Sequence, residues 1–120
     1  MASPEKRSKK LVKGYSSKDI ETRVVKNFLD VIILIEMKKQ NSLSAFDAMA
    51  FVNQKLDKAM SAGTVYSAMH NLERKGLVKG ETEGRKTVYY LTHKGQDAIN
   101  SLMTDFHEGM GDFVRRFLTL

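Results

Sequence analysis

The chain has 120 residues, a length that predicts one domain with a modest hydrophobic core. Its 20 Lys and Arg residues outnumber its 14 Asp and Glu residues, and the net charge of +6 favours a polyanionic partner such as nucleic acid. The absence of cysteine excludes disulfides, zinc thiolate sites and thiol catalysis, and the absence of an apolar run of about 18 residues predicts a cytoplasmic protein without a membrane-spanning helix.

The first 15 residues are polar, lack hydrophobic periodicity and carry five cations against one anion. This composition predicts a flexible basic arm over residues 1–15. Lys9 and Lys10 are candidates for contacts with DNA phosphates, although an inert solubilising tail would have the same composition. No apolar segment of signal-peptide length follows these cations, so we do not expect secretion.

Ser16 and Ser17 precede acidic residues at 19 and 21, which predicts a capped helix that starts here and continues to about Lys39. Apolar residues occupy nearly all faces of this helix, which is typical of a central helix buried on several sides. Residues 31–35 taken alone are also compatible with a strand. We expect part of the excess apolar surface to contact a second subunit. The main apolar stripe consists of Val24, Phe28, Val31, Ile32 and Ile35.

A turn at residues 40–43 leads to a second predicted helix, Ala45 to about Lys55. Ser44 is its predicted N-cap, and Asp47 at the third helical position is suited to a short capping box. We expect Met60, in the turn that follows, to enter the core. The predicted inward-facing residues of this second helix are Phe46, Met49 and Ala50, with Val52 and Leu56 as further candidates.

The third helix is predicted to begin after Ser61, whose hydroxyl can accept hydrogen bonds from the free amides of the first turn. Val65, Met69 and Leu72 follow at spacings of four and three residues, which places them on one face of the helix. Gly76 comes directly after two cations, and a glycine in this position is a helix stop.

Two short β segments follow, Leu77–Glu81 and Thr87–Leu91. The polar residues 82–86 between them predict a hairpin in which Gly84 supplies the permissive backbone. A helix followed directly by a hairpin with a basic tip is the DNA-reading half of a winged helix-turn-helix. The predicted fold is therefore mainly α with a small β-hairpin: a winged helix-turn-helix domain over residues 16–91, followed by a long C-terminal helix.

Three motifs extend this prediction: residues 63–66 read Gly-Thr-Val-Tyr, residues 72–78 read Leu-Glu-Arg-Lys-Gly-Leu-Val, and residues 89–95 read Tyr-Tyr-Leu-Thr-His-Lys-Gly. Together they resemble the PadR (phenolic acid repressor) family of winged-helix regulators, over roughly residues 28–103. Ser-Ala-Phe-Asp at residues 44–47 departs from the Gly-Tyr pair that usually opens the second helix of that family. The resemblance implies a transcriptional regulator, most often a repressor, of the compact subfamily with one C-terminal helix. It also implies that Tyr66 packs at the domain face or touches a phosphate.

The face of the third helix opposite its apolar residues is predicted to read base edges in the major groove. Asn71 could form a bidentate contact with adenine, and Thr64 or Ala68 could meet a thymine methyl group. The helix N-terminus and the basic hairpin tip are candidates for phosphate contacts, although the same residue types also suit an exposed helix without a ligand. The candidate DNA-contacting residues are Ser61, Thr64, Ser67, Ala68, His70, Asn71, Arg74, Arg85 and Lys86, together with Lys9 and Lys10.

Residues 93–120 predict one long amphipathic helix capped by Thr92. Its bulky apolar residues repeat at alternating steps of four and three, a heptad seam typical of helix pairing. Packing against its own domain is the alternative, but a helix beyond a compact domain has little surface to cover, so residues 92–120 are predicted to form a homodimer. Gly109 and Gly111 mark either a kink or a close approach of two backbones. The predicted dimerisation residues are Ile99, Met103, Phe106, Met110, Phe113 and Phe117.

No enzymatic motif emerges from the sequence. His93 and Asp97 are spaced like half of a metal site, but no further ligand is evident, and neither a phosphate loop nor a nucleophile motif occurs. We therefore predict a regulator that binds double-stranded DNA, is not an enzyme and needs no cofactor or metal. Two alternatives remain: a regulator that binds a small apolar effector at the dimer interface, and an architectural DNA-binding protein that is indifferent to sequence.

Overall fold

The computed structural model describes residues 12–119, which form five helices and a three-stranded sheet and match the predicted fold class. Lys9 and Lys10 lie outside the described residues. Among the described residues, no helix combines the length and the apolar character needed to cross a bilayer. The elements in chain order are α1 (Ser17–Asn27), α2 (Leu29–Gln40), β1 (Ser42–Ser44), α3 (Ala45–Lys55), α4 (Ala62–Arg74), β2 (Val78–Glu83), β3 (Lys86–Leu91) and α5 (His93–Leu118).

The N-terminus of α1 is fixed by a reciprocal pair of hydrogen bonds. The Ser16 hydroxyl accepts the Asp19 amide, and the Asp19 carboxylate accepts the Ser16 amide, each at 3.1 Å. The hydrogen bond from the Ser16 side chain lowers the pKa of Asp19 below its usual range, because it stabilises the charged carboxylate. The predicted capped start of the first helix is therefore correct.

The prediction of one unbroken helix up to about Lys39 is wrong, because the chain breaks at Phe28 into α1 and α2. Phe28 leaves the helical conformation at φ −113° and ψ 21°. Directly beyond it, the Asp30 carboxylate accepts the Val31 amide at 2.9 Å. Short polar side chains such as those of Asn27 and Asp30 compete with the backbone for hydrogen bonds, which favours a break at this point.

The helix α2 is central, as predicted, but its buried face is not the predicted stripe. Leu29, Ile33 and Met37 recur every four residues and are at most 2% exposed. Val24 and Phe28, which belong to the predicted stripe, are about half exposed. The break at Phe28 changes the rotational phase between α1 and α2, so a stripe read across both helices does not stay on one face.

The helix α3 begins and ends as predicted, and the Ser44 hydroxyl accepts the Asp47 amide at 3.0 Å. The prediction that Phe46 faces inward is wrong, since its side chain is 79% exposed. Ala48 and Val52 are the buried residues of this helix. Positions two residues apart on a helix point about 200° apart, so burial of Ala48 turns Phe46 toward the surface.

The helix α4 packs its apolar face into the core, which confirms the predicted periodicity. Val65, Met69 and Leu72 are at most 1% exposed, and Met60 in the preceding turn is also buried. The helix ends at Arg74, and Gly76 adopts a positive φ of 76° just beyond it. Because α4 contacts α2, α3 and β2, its outward face has a fixed orientation relative to the hairpin.

The sheet has the order β1-β3-β2, with both pairs antiparallel. Glu83 pairs with Lys86, so the hairpin turn contains only Gly84 and Arg85, and Gly84 has a φ of 66°. A positive φ of this kind is easy for glycine and suits a tight hairpin turn. The strand β1 occupies part of the segment predicted as a turn, because three residues are too few to give a periodic sequence signal.

The helix α5 runs unbroken through Gly109 and Gly111, with the Thr92 hydroxyl accepting the Gly95 amide at 3.0 Å. Its 26 residues span about 39 Å. Gly95 and Ile99 are buried, whereas nearly every described residue from Met103 onward is exposed. The second half of α5 therefore extends beyond the domain. With this helix included, the chain measures 62 Å along its longest axis.

Candidate nucleic-acid interface

The N-terminus of α4 is open to close approach by a ligand. The Ser61 hydroxyl accepts the Thr64 amide at 3.2 Å and lies 2.9 Å from the Thr64 hydroxyl oxygen. A Cβ atom added at Gly63 would meet only the Ser61 hydroxyl, at 3.9 Å. The free amides and the dipole of a helix N-terminus favour an anion, so a phosphate could approach here without steric hindrance.

A depression of about 620 Å³, which we call the junction cleft, lies between α4 and the break between α1 and α2. Lys26, Asn27 and Asp30 form its wall on the α1–α2 side. No sequence signal identifies Lys26, because the break that brings the end of α1 beside α4 is itself not predicted. The predicted DNA-contacting residues that border this cleft are Ser61, Thr64, Ser67, Ala68 and Asn71.

These five residues differ in how much of their side chain is exposed to solvent. Ser61 and Ser67 are exposed, whereas Thr64 and Asn71 are half-buried. Ala68 packs against the hydrophobic core with part of its surface. Because Ser67 is exposed, a thymine methyl group would find more free surface there than at Thr64 or Ala68, which are both half-buried.

The Asn71 amide is held from both ends. Its Nδ2 donates to a carboxylate oxygen of Asp30 at 3.3 Å. Its Oδ1 accepts from the Arg74 guanidinium, also at 3.3 Å. The candidate adenine-reading residue thus has a defined orientation in the protein without DNA.

A second depression of about 360 Å³, which we call the wing cleft, lies between α4, the start of α3 and the hairpin. His70, Arg85 and Lys86 border it, so these predicted residues lie together but apart from those of the junction cleft. Tyr66 and the exposed Phe46 also line it. Phe46 is absent from the predicted site because its apolar character favours a core position.

The hairpin tip carries two cations among several acids. Arg85 occupies the turn, and Lys86 begins β3 opposite Glu83. The Tyr90 hydroxyl donates to the Glu83 carboxylate, and this hydrogen bond raises the pKa of Tyr90 above its usual range. Glu83 is thus held by β3, and the neighbouring Arg85 and Lys86 side chains are both exposed and could meet a phosphate.

The seam of α5 is exposed over most of its length. Met103, Phe106 and Met110 are 37–43% exposed, and Phe113 and Phe117 are 51% and 62% exposed. The rings of Phe113 and Phe117 stack on each other with their centroids 6.1 Å apart. Val114 and Leu118 add to the same end of the helix. Ile99 differs, because it is fully buried within its own chain and has no surface to offer a partner.

Two further apolar surfaces are exposed. Ile20 and Val24 on α1 and Phe28 directly after it recur every four residues and are 44–50% exposed. A depression of about 630 Å³, which we call the apolar groove, lies between α2, the end of α4 and α5. Its apolar lining includes Val31, Leu34, Leu72, Leu102, Phe106 and Met110.

Within residues 12–119, no three His, Asp or Glu side chains lie close enough to hold a metal ion. The histidines are dispersed, with His70 on α4 and with His93 and His107 on α5. In the part of the chain that the structure describes, the notable features are therefore two clefts beside α4, the apolar groove, and the exposed apolar side chains of α1 and α5.

Comparison with known proteins adds a family relationship. The transcriptional regulator PadR-like family matches residues 34–101, which include α3, α4, the hairpin and the first part of α5. No protein of curated function matches the sequence significantly.

Several solved structures share the fold. A transcriptional regulator from Clostridium thermocellum is 22% identical with a TM-score of 0.63, over 85% of this chain and 96% of its own. A PadR family transcription regulator from Clostridium difficile is 18% identical with a TM-score of 0.62, over 76% and 98%. A PadR-like transcriptional regulator from Bacillus cereus is 17% identical with a TM-score of 0.62, over 82% and 97%. At these low identities the comparison shows a shared fold, which includes the helix that follows the hairpin.

Proposed function

The chain belongs to the transcriptional regulator PadR-like family, and we propose that it is a repressor that binds a specific double-stranded DNA site as a homodimer. In this proposal residues 16–91 form the DNA-binding domain and residues 92–120 form the dimerisation helix. The observation that carries the proposal is the free face of α4. It presents small and polar side chains to an open cleft, while the opposite face is fully buried in the core.

The outward face of α4 is suited to the major groove, which admits an α-helix and displays a distinct donor and acceptor pattern for each base pair. Ser67, Thr64 and Asn71 are the proposed base-contacting residues, because they border the junction cleft with their polar groups. Ala68 is a weaker candidate since part of its surface is in the core. Phosphate contacts would position the helix without specifying the sequence.

The two clefts beside α4 offer binding positions for phosphates on both sides of the DNA major groove. Lys26 and the N-terminus of α4 after Ser61 serve one strand, and Arg85 and Lys86 serve the other. His70 and Arg74 lie on the exposed surface of α4 and are further candidates for backbone contacts. Residues 1–15, with Lys9 and Lys10, would add contacts from the basic arm.

The proposed dimer brings together the exposed surfaces of α5 and α1. Full burial of a large apolar side chain stabilises by about 1.5–3 kcal/mol, so the half-exposed residues from Met103 to Phe117 would each contribute roughly half of that. The α1 stripe of Ile20, Val24 and Phe28 runs along a helix that has no fully buried residue of its own. The side chains of this stripe are apolar, like those that line the apolar groove. A second copy is therefore the proposed cover for both surfaces.

The apolar groove also supports a second candidate function, regulation by a small apolar effector. Its volume of about 630 Å³ lies in the range typical of ligand sites, and Asp30, Lys75 and Asp105 add a few polar groups at its rim. The fluorescent probe 8-anilinonaphthalene-1-sulfonate, which has apolar aromatic rings and one sulfonate, offers a direct test. An effector site predicts that the probe binds the dimer and changes its affinity for DNA, whereas binding without any change in DNA affinity would contradict this function.

Selection of duplexes from a random pool, followed by competition binding at fixed salt, tests the main proposal. A specific dimeric regulator should select a palindrome-like site and prefer it over random duplex by about a thousandfold or more. An architectural DNA-binding protein would bind all duplexes with similar affinity. That result, or the absence of any binding at low salt, would contradict the proposal.

A further inference from the structure

One carboxylate at the start of α2 reaches across to α4. Asp30 and Asn71 are 41 positions apart in the chain, yet the Asn71 amide donates to a carboxylate oxygen of Asp30 at 3.3 Å. The other carboxylate oxygen accepts the Val31 amide at 2.9 Å, which anchors Asp30 to the first turn of α2. The carboxylate is therefore a fixed acceptor directed at the outward face of α4.

The two partners of Asn71 determine which way its amide faces. An ionised carboxylate can only accept hydrogen bonds, and a guanidinium can only donate them. Asp30 therefore requires the amide nitrogen on its side, and Arg74, whose guanidinium lies 3.3 Å from Oδ1, requires the oxygen on the other. A flipped amide would place oxygen against carboxylate and nitrogen against guanidinium, so only one orientation is compatible with both.

The oriented amide keeps half of its hydrogen-bonding capacity. An asparagine side chain has two N–H donors and two oxygen lone pairs. Asp30 uses one donor and Arg74 uses one lone pair, which leaves one donor and one acceptor. One donor and one acceptor are what a bidentate contact with the N7 and N6 groups of adenine requires.

We propose that Asp30 is a positioning residue for sequence recognition, which orients Asn71 for adenine without itself contacting a base. This inference rests on the proposed DNA-binding function and deepens it. Asp30 borders the junction cleft, where its negative charge opposes nearby phosphates. A carboxylate in this place lowers affinity for DNA in general, and in return it raises discrimination at one base pair.

This arrangement predicts effects of opposite sign on two measured quantities. Asp30→Ala removes a negative charge from the DNA-facing surface, so affinity for random duplex should stay equal or increase. The Asn71 amide then loses one of its two restraints, so discrimination at the adenine position should fall by about fivefold or more. A purely structural role for Asp30 would instead lower affinity for every duplex.

A double-mutant cycle provides the test, using duplexes that carry the selected site and the same site with each base pair replaced in turn. Wild type, Asp30→Ala, Asn71→Ala and the double variant are compared at one salt concentration. Discrimination should fall at a single position in both single variants, and the double variant should match Asn71→Ala, because Asp30 acts through Asn71. Asp97→Ala is the charge control, since Asp97 is an exposed carboxylate of α5 that borders neither of the two clefts nor the apolar groove.

Asp30→Ser is a second variant in case Asp30→Ala does not fold. Serine is well tolerated in the first turn of a helix, and its hydroxyl ends one bond short of the carboxylate oxygen that Asn71 contacts, so this variant should show the same loss of discrimination. Unchanged discrimination in both variants, or an equal loss at every position, would overturn the inference while leaving the proposed function intact. If wild type itself shows no base preference, the proposed function fails and this inference with it.

Discussion

Among the three glycines of α5, Gly95 is the one at which a side chain is least tolerable. A Cβ atom there would lie 2.1 Å from the carbonyl oxygen of Leu77 and 2.7 Å from Cδ1 of Leu91. The first of these atoms belongs to the backbone and cannot move without shifting the start of the hairpin. We predict that Gly95→Ala lowers the free energy of unfolding by about 2 kcal/mol or more, measured by chemical denaturation.

Gly109→Ala is the matched control in the same helix. No atom lies within 4 Å of a Cβ built at Gly109, so alanine should stabilise α5 by about 1 kcal/mol through its higher helix propensity. The dissociation constant of the dimer gives a second readout. Weaker association with unchanged helix content would indicate that two backbones approach closely at Gly109. A stability loss equal to that of Gly95→Ala would contradict the packing described for both glycines.

Replacement of Asn71 and of Arg85 by alanine should impair DNA binding in different ways. Asn71→Ala removes the proposed base contact and should reduce sequence preference by a factor that corresponds to about 1–3 kcal/mol. Arg85→Ala removes the proposed phosphate contact, so it should weaken binding to all duplexes alike and reduce the salt dependence by about one released counterion. Competition binding at several salt concentrations separates the two effects. Equal losses on all sequences in both variants would contradict the assignment.

At the scale of elements, local sequence signals identify those parts of the fold that local chemistry determines. Ser44, Ser61 and Thr92 all cap the helices that they are predicted to cap, because a hydroxyl before an apolar periodic segment has one dominant use. The hairpin is predictable from Gly84 for a similar reason, since few residue types adopt a positive φ in a tight turn.

Elements that depend on distant contacts are less evident in the sequence. The strand β1 exists because β3 offers a free edge to residues 42–44, and no local pattern reports that edge. The segments on either side of the break at Phe28 both favour a helix. In the sequence their apolar residues therefore look like one continuous stripe. The contact between Asp30 and Asn71, and the place of Lys26 in the junction cleft, both depend on that break.

The Thr92 hydroxyl makes two hydrogen bonds, so its removal should lower the stability of the domain measurably. It accepts the Gly95 amide at 3.0 Å and donates to the Gly76 carbonyl at 2.6 Å, linking the N-terminus of α5 to the end of α4. We predict that Thr92→Ala lowers the free energy of unfolding by about 1–2 kcal/mol, and that Thr92→Ser restores most of it. Equal stability of the alanine and serine variants in chemical denaturation would contradict this role.

At the scale of the whole molecule, the α5 seam should determine the oligomeric state. Phe113→Ser together with Phe117→Ser removes two large exposed rings from the proposed interface. We predict that this double variant is monomeric at micromolar concentration in sedimentation velocity while its domain remains folded. Phe46→Ser is the matched control, because Phe46 is still more exposed but lies on the wing cleft.

A dimeric Phe46→Ser variant and a monomeric double variant would both agree with association through α5. If the double variant remains dimeric, the interface lies elsewhere, and the α1 surface around Val24 is the next region to test. The seam itself is predictable from sequence, because a repeat of bulky residues is visible without the structure. The burial of Ile99 within its own chain is not, because the repeat continues across the boundary of the domain.

The central claim is that two α4 helices of one dimer enter neighbouring major grooves together. The most direct measurement is the affinity for operators in which the spacing between two selected half-sites is changed in steps of half a helical turn. We predict a maximum at a centre-to-centre distance of about one turn, roughly 10 bp, and a loss of at least tenfold half a turn away. Affinity that does not depend on this spacing would contradict the claim.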